Sequence, residues 1–364
     1  MEFICTKCGR KEAVTTRAAH CACGGLWRLA YEPPKFDLAE IDRNEWSLFR
    51  YRRFLALDDE RWRSVSMGEG MTPVVRLDDN VLLKMDYFMP TLSFKDRGAA
   101  TLIAHCKSIG VQQVVQDSSG NAGNAVAAYC ARSGIGCEIF VPEGTSPKKI
   151  DMIRAHGAVC TVVPGTRDHC ADVCREKVER EGVYYANHVY NPFFYEGTKT
   201  YIYEVFEQLG RIPANLVIPV GNGTLFLGAM YALEHLFNSG VIDRFPQIIA
   251  LQSQNCDPLL RAAEHGKTEP EAVMPAPTIA EGIAIGKPMR GREILTLAEK
   301  HGVHFIHAPE EQILSARATL AKKGIYCEHT TAANYAAYLE YCRVYGKTSD
   351  TLITMCGAGL KSDH

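Results

Sequence analysis

The chain has no basic-then-apolar leader. It opens Met1-Glu2-Phe3-Ile4-Cys5-Thr6-Lys7-Cys8, which reads as a cytoplasmic start, not an exported one. Net charge is only -2, so electrostatics make no case for nucleic acid or an anionic membrane as a partner. A continuous apolar span is lacking too. Leu216 to Leu233 is uncharged and near membrane-spanning length, but Pro219, Gly221, Asn222 and Gly223 interrupt it, and a buried strand, turn and helix account for it better. No internal repeat, low-complexity tract or long run of like charge is present, which leaves no basis for a solenoid or a disordered arm. Two nucleotide signatures are also missing. No glycine turn ends in the Gly-Lys-Ser/Thr of a triphosphate loop, and none reads GxGxxG with a ribose-binding acid about 20 residues on.

What is there is a globular composition, 46% hydrophobic and 23% charged over 364 residues, enough for two cores. Fourteen cysteines without an export layout read as reduced thiols. Most, such as Cys106, Cys130 and Cys342, fall in apolar helical patterns and read as packing residues. Four do not: Cys5, Cys8, Cys21 and Cys23 form CxxC, twelve intervening residues, then CxC before Gly24-Gly25. Two short knuckles on a hairpin can converge four thiolates on one tetrahedral zinc, and a piece this small needs such a staple. The CxC departs from a second CxxC, so unligated thiols stay open as the other reading and His20 as a substitute ligand. On the first reading residues 1–30 are a zinc-ribbon-like segment whose metal is structural. Residues 31–65, polar, aromatic and proline-bearing with a helical patch at Leu38 to Phe54, read as a linker.

After Ser66 strand and helix patterns alternate as a doubly wound α/β sheet requires. Three strand-to-helix turns carry chemistry. In the first, Asn80 to Phe88 reads as a strand, Pro90 breaks it and Ser93 is placed to cap a helix, so Lys95 sits on a rigid element. Desolvation beside other cations depresses an amine pKa and makes a lysine both Schiff-base nucleophile and base; an ordinary solvated lysine is the alternative. The second turn follows the strand-like Gln113-Val114-Val115 and precedes an alanine-rich helix ending near Ser133-Gly134. Its uncovered amides, Ser118, Ser119, Gly120, Asn121 and Ala122, can receive a carboxylate. The third, Gly221-Asn222-Gly223-Thr224, offers free amides, a positive dipole end and a hydroxyl that suit a phosphate. A candidate Schiff-base lysine and a candidate phosphate cradle together describe a pyridoxal-phosphate pocket.

Ser93-Phe94-Lys95-Asp96-Arg97-Gly98, Ser118-Ser119-Gly120-Asn121-Ala122-Gly123 and Gly221-Asn222-Gly223-Thr224 resemble the three signatures of fold-type II pyridoxal-phosphate enzymes, most closely the threonine synthases. Met67-Gly68-Glu69-Gly70-Met71-Thr72-Pro73, Glu196-Gly197-Thr198-Lys199-Thr200, Glu281-Gly282-Ile283-Ala284-Ile285-Gly286 and Cys356-Gly357-Ala358-Gly359-Leu360-Lys361 resemble that family's other landmarks, in the same order. The resemblance implies two open twisted sheets with flanking helices. A small substrate-binding domain, 101–195, would be inserted in a large cofactor-binding one, 66–100 and 196–364, and a homodimer would be usual. It also implies roles. Lys95 would hold pyridoxal phosphate and remove the α proton of an amino-acid substrate, Asn121 would bond the ring's phenolic oxygen, and Ser118 and Ser119 with the following amides would hold the carboxylate. Cys356 would stand at the ring nitrogen, where the family commonly has serine or threonine; an uncharged thiol leaves that nitrogen neutral and favours elimination or replacement over transamination.

The activity implied is that of a threonine synthase, converting O-phosphohomoserine and water to threonine and phosphate. One departure bears on the substrate. Threonine synthases follow Asn-Pro with an aromatic residue and then an arginine that helps bind this phosphate, whereas here Asn191-Pro192-Phe193-Phe194 puts a phenyl ring at that position. Either Lys148, Lys199 or Arg290 holds a second phosphate, or the substrate carries none. Glu281 and Glu328 stand between pocket lining and solvated surface, and His329, where relatives often have proline, reads as structural. The alternatives are an ammonia-lyase of the threonine or serine dehydratase type, a β-replacement synthase acting on O-phosphoserine, and a catalytically idle cofactor-binding module.

Overall fold

The computed structural model describes residues 1–57 and 59–361; Asp58 and the last three residues of the 196–364 segment lie outside the described residues. Among those described, the strands form three sheets. The first is an antiparallel ribbon of β1 (Glu2–Cys5), β2 (Lys11–Ala13) and β3 (Trp27–Leu29), ordered β2-β1-β3. Phe3 and Trp27 bury against Phe193 of the main body, with the Phe3 and Phe193 rings 6.0 Å apart. The ribbon is therefore docked on the body.

The second sheet has six strands: β4 (Val74–Arg76), β5 (Val81–Lys84), β10 (Asn215–Pro219), β11 (Gln247–Ser253), β12 (His304–Ala308) and β13 (Thr351–Thr354). Its order is β12-β11-β10-β13-β5-β4, parallel except where β4 meets β5. The third has four parallel strands, β6 (Gln113–Gln116), β7 (Gly136–Pro142), β8 (Val159–Val163) and β9 (Tyr184–Tyr185), ordered β8-β7-β6-β9. Parallel neighbours need crossovers, and α2 (Asn121–Ser133), α3 (Pro147–Ala155) and α4 (Arg167–Glu181) supply them here. Around the larger sheet lie α1 (Lys95–Ser108), α5 (Phe193–Leu209), α6 (Thr224–Asn238), α7 (Pro258–Glu264), α8 (Gly291–Lys300), α9 (Glu310–Ala321) and α10 (His329–Tyr345). β10 is buried along Leu216 to Pro219 without alternation, which is why that stretch reads as an unbroken apolar run. The run from Leu216 to Leu233 falls into β10, a turn and α6, and no helix among the described residues is long and apolar enough to cross a membrane.

Three local expectations are corrected. The strand predicted from Asn80 to Phe88 ends at Lys84, because Asp86 turns inward to take two hydrogen bonds from Arg97 at 2.6 and 2.9 Å. Ser93 does not cap α1: the cap residue is Phe94, while Ser93 pairs through its backbone with Gly357 and its buried hydroxyl has no partner. The helical patch from Leu38 to Phe54 is two short 3-10 turns, Leu38–Glu40 and Leu48–Phe54. The stretch 31–65 is also more than a tether. Leu48, Phe49, Tyr51 and Phe54 are wholly buried in the main core, and Arg50 reaches Glu207 at 2.7 Å.

Behind α1 lies a node of four fully buried charges. Arg97 pairs with Asp86 and with Glu204 (2.9 Å), and Lys84 with Glu204 and the carbonyl of Thr72 (2.6 Å). Burial alone would raise the pKa of Glu204, but Arg97 and Lys84 outweigh it and hold that carboxyl at about 2. Thr72 comes from the Met67 to Pro73 landmark and Arg97 from the lysine motif. Thr200 of the Glu196 to Thr200 landmark accepts from Arg97 at 3.0 Å. These motifs thus meet at the node that orients the start of α1.

Candidate active site

Lys95 is the first residue of α1, and its Nζ donates to Thr224 Oγ1, the first residue of α6, at 2.9 Å. The lysine and the glycine turn at 221–224 therefore share one small volume. They line, with the turn at Ser118 to Ala122, a cavity of about 340 Å³ between the two parallel sheets. Burial lowers the pKa of Lys95 to about 8; the charge of Arg167 pushes the same way, while Cys356 and Glu328 oppose it. An amine so placed is partly unprotonated near neutral pH and can act as nucleophile or base.

Four of the helices that start at this cavity share a local feature. None of α1, α2, α6 and α10 has a side-chain cap at its N-terminus, whereas α3 is capped by Ser146 and α4 by Thr166. Uncapped amides and the positive ends of helix dipoles are thereby left for anions. At α6 the cap residue is Gly223, with φ of +77°, a left-handed conformation that glycine adopts without strain. Thr198 of α5 pins the turn from behind, donating to the carbonyl of Thr224 at 2.9 Å. The second turn is held by Asp117, which accepts from Tyr185 and Asn187, each at 2.6 Å. Asn121 opens α2 and donates to Glu328 at 3.2 Å across the cavity. Beyond β13, the buried thiol of Cys356 lines the same space, 3.3 Å from the hydroxyl of Thr331. Burial raises its pKa to about 12, so it is a neutral group.

A family model described as pyridoxal-phosphate dependent enzyme matches residues 65–357. The chain belongs to that family. It is similar to the threonine synthase of Methanocaldococcus jannaschii, 29% identical over 347 residues that cover 91% of this chain and 85% of that protein. It is likewise similar to the threonine synthase of Mycobacterium leprae, 30% identical over 322 residues, 85% of this chain and 87% of the relative. Among solved structures it resembles the processed form of threonine deaminase isoform 2 from Solanum lycopersicum, with a TM-score of 0.71, 21% identity, and coverage of 92% of this chain and 88% of that one. The fold is the α/β fold of this pyridoxal-phosphate dependent family, and the chain is an enzyme of it.

The three turns and Cys356 line one cavity, and the cations weighed for a second phosphate, Lys148, Lys199 and Arg290, do not. Lys199 is buried in a pair with Glu196 at 2.7 Å, away from the cavity wall. Arg290 is buried against Glu293 and the carbonyls of Trp27, Val189 and Tyr190. Lys148 donates to the carbonyl of Leu360, at 3.3 Å, and does not line the cavity. Phe194 is fully buried and packs on α1 where Gly98 leaves room; a Cβ at Gly98 would lie 2.2 Å from its ring. Burying that ring contributes about 2 to 3 kcal/mol. Glu281 sits at the cavity rim, paired with Lys149 at 2.8 Å, and His329 lines the wall with Nε2 2.9 Å from Arg317.

Four ionisable lining residues escaped sequence reasoning as site residues: Lys149, Arg167, His188 and Lys361. His188 is buried, bonded through Nδ1 to Gln116 at 2.9 Å, and burial holds its pKa well below the ordinary value, so it is neutral. Only Lys361 carried a signal, as the last residue of the terminal landmark; its Nζ donates to the carbonyl of Thr91 at 2.9 Å. Arg167 and Lys149 lie in polar helix starts that look like surface.

None of the four ribbon cysteines lines this cavity, but they converge on one another. Their sulfurs all lie within 4.8 Å of one another, with Cys5 to Cys23 at 3.5 Å and Cys8 to Cys21 at 3.7 Å. Four thiolates about 2.3 Å from one tetrahedral zinc would be spaced by about 3.8 Å, so the donor set fits that metal. His20 instead turns its Nδ1 to the carbonyl of Cys21 at 3.0 Å.

Proposed function

We propose that this enzyme uses pyridoxal phosphate to eliminate phosphate from O-phosphohomoserine and add water, yielding threonine. The observation that carries the reading is the 2.9 Å contact between Lys95 and Thr224, which ties an amine suited to an aldehyde to a turn suited to a phosphate. The residues fit the cofactor part by part. Lys95 would take its aldehyde end, the amides of Gly221, Asn222, Gly223 and Thr224 its phosphate, Asn121 its phenolic oxygen, and the neutral thiol of Cys356 would face its ring nitrogen. When bound, pyridoxal phosphate supplies an electron sink for the charge left at Cα as the proton departs. The protein's own part is positional and acid–base. Ser118, Ser119, Gly120 and Ala122 hold the substrate carboxylate at the start of α2, and Lys95, with its depressed pKa, accepts the Cα proton and returns protons as the product forms. Glu328 orients the amide of Asn121.

A second reading has its own observation. Phe194 presents no charge to the cavity, which favours an ammonia-lyase acting on threonine or serine, substrates without a phosphate. Incubation with O-phosphohomoserine, threonine, serine and O-phosphoserine, with assays for phosphate, ammonia and 2-oxo acid, separates these. Phosphate release with threonine as product is expected. Ammonia without phosphate would establish the lyase, and Lys95→Ala should lose both chemistry and the borohydride-sensitive cofactor absorbance.

The ribbon is read as a structural zinc site of Cys5, Cys8, Cys21 and Cys23, on the strength of the converging sulfurs. A homodimer is expected from the resemblance to the family and a cytoplasmic location from the reading of the cysteines as reduced thiols, and light scattering tests the first.

A further inference from the structure

This inference rests on the reading of a phosphorylated substrate and asks which group receives its distal phosphate, since position 194 offers none. Phe194 is wholly buried against Gly98, and its ring lies beside two cavity-lining groups, 5.9 Å from Lys95 Nζ and 5.8 Å from the ring of His188, but it brings no charge to them. The cations must come from elsewhere on the wall. Four side chains line it with positive charge, Lys95, Lys149, Arg167 and Lys361, against two carboxylates, Glu281 and Glu328, a surplus that suits an anionic occupant. Three of the four are committed. Lys95 is held by Thr224, Lys361 by the carbonyl of Thr91, and Lys149 is neutralised by Glu281 at 2.8 Å. Arg167 is different: among the described residues its guanidinium has no hydrogen-bond or ion-pair partner, and its side chain is solvent-accessible at the cavity wall.

We infer that Arg167 is the specificity residue for the substrate's distal phosphate, contributed from the start of α4 on the small-sheet side and standing in for the arginine that position 194 lacks. The backbone beneath it is fixed, because Thr166 caps α4 by accepting from the amide of His169 at 3.2 Å. Arg167 lines the same cavity as Lys95 and His188, and its charge is among those that lower the proton affinity of both. Guanidinium chemistry matches the task. It is charged at any working pH, and its planar fork meets two phosphate oxygens at once. The α-carboxylate does not compete for it, since the uncapped amides of α2 are already directed at that group.

The test uses the cofactor-loaded full chain with Arg167→Ala and Arg167→Lys. Arg167→Ala is expected to raise KM for O-phosphohomoserine by about 10- to 100-fold, as loss of a charge-assisted contact does. It should weaken competitive inhibition by inorganic phosphate to a similar extent, and leave the absorbance of the bound cofactor as it was. Arg167→Lys should fall between. A KM within about twofold of the unsubstituted enzyme overturns the inference. So does a raised KM with phosphate inhibition intact, which would assign Arg167 to another part of the substrate, and so does a fall in cofactor absorbance, which would make its role structural. If the unsubstituted enzyme releases no phosphate from O-phosphohomoserine, the reading of the activity fails and this inference with it; release that is indifferent to Arg167 sinks the inference alone.

Discussion

Replacing Arg97 by alanine tests whether the buried charge node holds the active lysine in place. In the folded enzyme Arg97 answers two carboxylates, Asp86 through Nε and Nη2 and Glu204 through Nη1, and all three groups are wholly buried. Its removal leaves Asp86 the hydroxyl of Thr72 at 2.8 Å, and leaves Glu204 with Lys84 and the amide of Met71 at 2.9 Å. Hydrogen bonds survive, but one negative charge in a sealed site loses its counter-charge. Breaking a buried pair from one side costs about 3 to 5 kcal/mol, and the surviving donors place this case toward the lower figure. Urea unfolding would read it as a fall in midpoint. Adding Asp86→Asn removes the orphaned charge, so the double variant should be more stable than the sum of the two single losses predicts, by about 1 to 3 kcal/mol. Because Arg97 lies two residues beyond Lys95, cofactor retention should fall in the single variant and partly return in the double. Strictly additive losses, or a midpoint that hardly moves, would show that the node does not carry α1.

Glu69 gives a pH test. Burial raises its pKa from 4.5 to about 7 against the opposing bonds from the Met67 amide and the Tyr129 hydroxyl. The folded protein then holds this proton more tightly than the unfolded chain, so the contribution is full below about pH 4.5 and lost as pH rises through about 7. Glu69→Gln should therefore flatten the decline in unfolding free energy between about pH 5 and pH 8 by about 3 kcal/mol; an unchanged slope would refute the assignment. For the ribbon, one zinc per chain is expected by elemental analysis. Its removal by a chelator should unfold residues 1–30 and uncover Phe193, raising proteolysis near the N-terminus while cofactor absorbance persists. A metal-free protein with an intact ribbon would count against it.

The turns at Lys95, Ser118 to Ala122 and Gly221 to Thr224 were legible in the sequence because each joins a short apolar strand to a helix through small or polar residues, a local pattern. The four cysteines of the ribbon were legible for the same reason, their spacing being short enough to enclose one ion. Reading Ser93 as a cap failed because a local rule met a non-local competitor, the backbone pairing of Ser93 with Gly357, some 260 residues away along the chain. The stretch 31–65 was misread because its aromatic residues are scattered among charges, and the surface that buries them belongs to α5, far along the chain.

By itself the sequence determined the class of chemistry, since a lysine and two anion-binding turns of this make leave little else for the pocket to hold. Which cations face that pocket was decided only in three dimensions. Lys199 and Arg290 look as available as Arg167 when written in a line, but the first two are enclosed by carboxylates and carbonyls in the core, and Arg167 is brought to the wall by a crossover helix of the other sheet. The free energy of a charge depends on what surrounds it, and that environment is assembled from segments the local pattern does not connect.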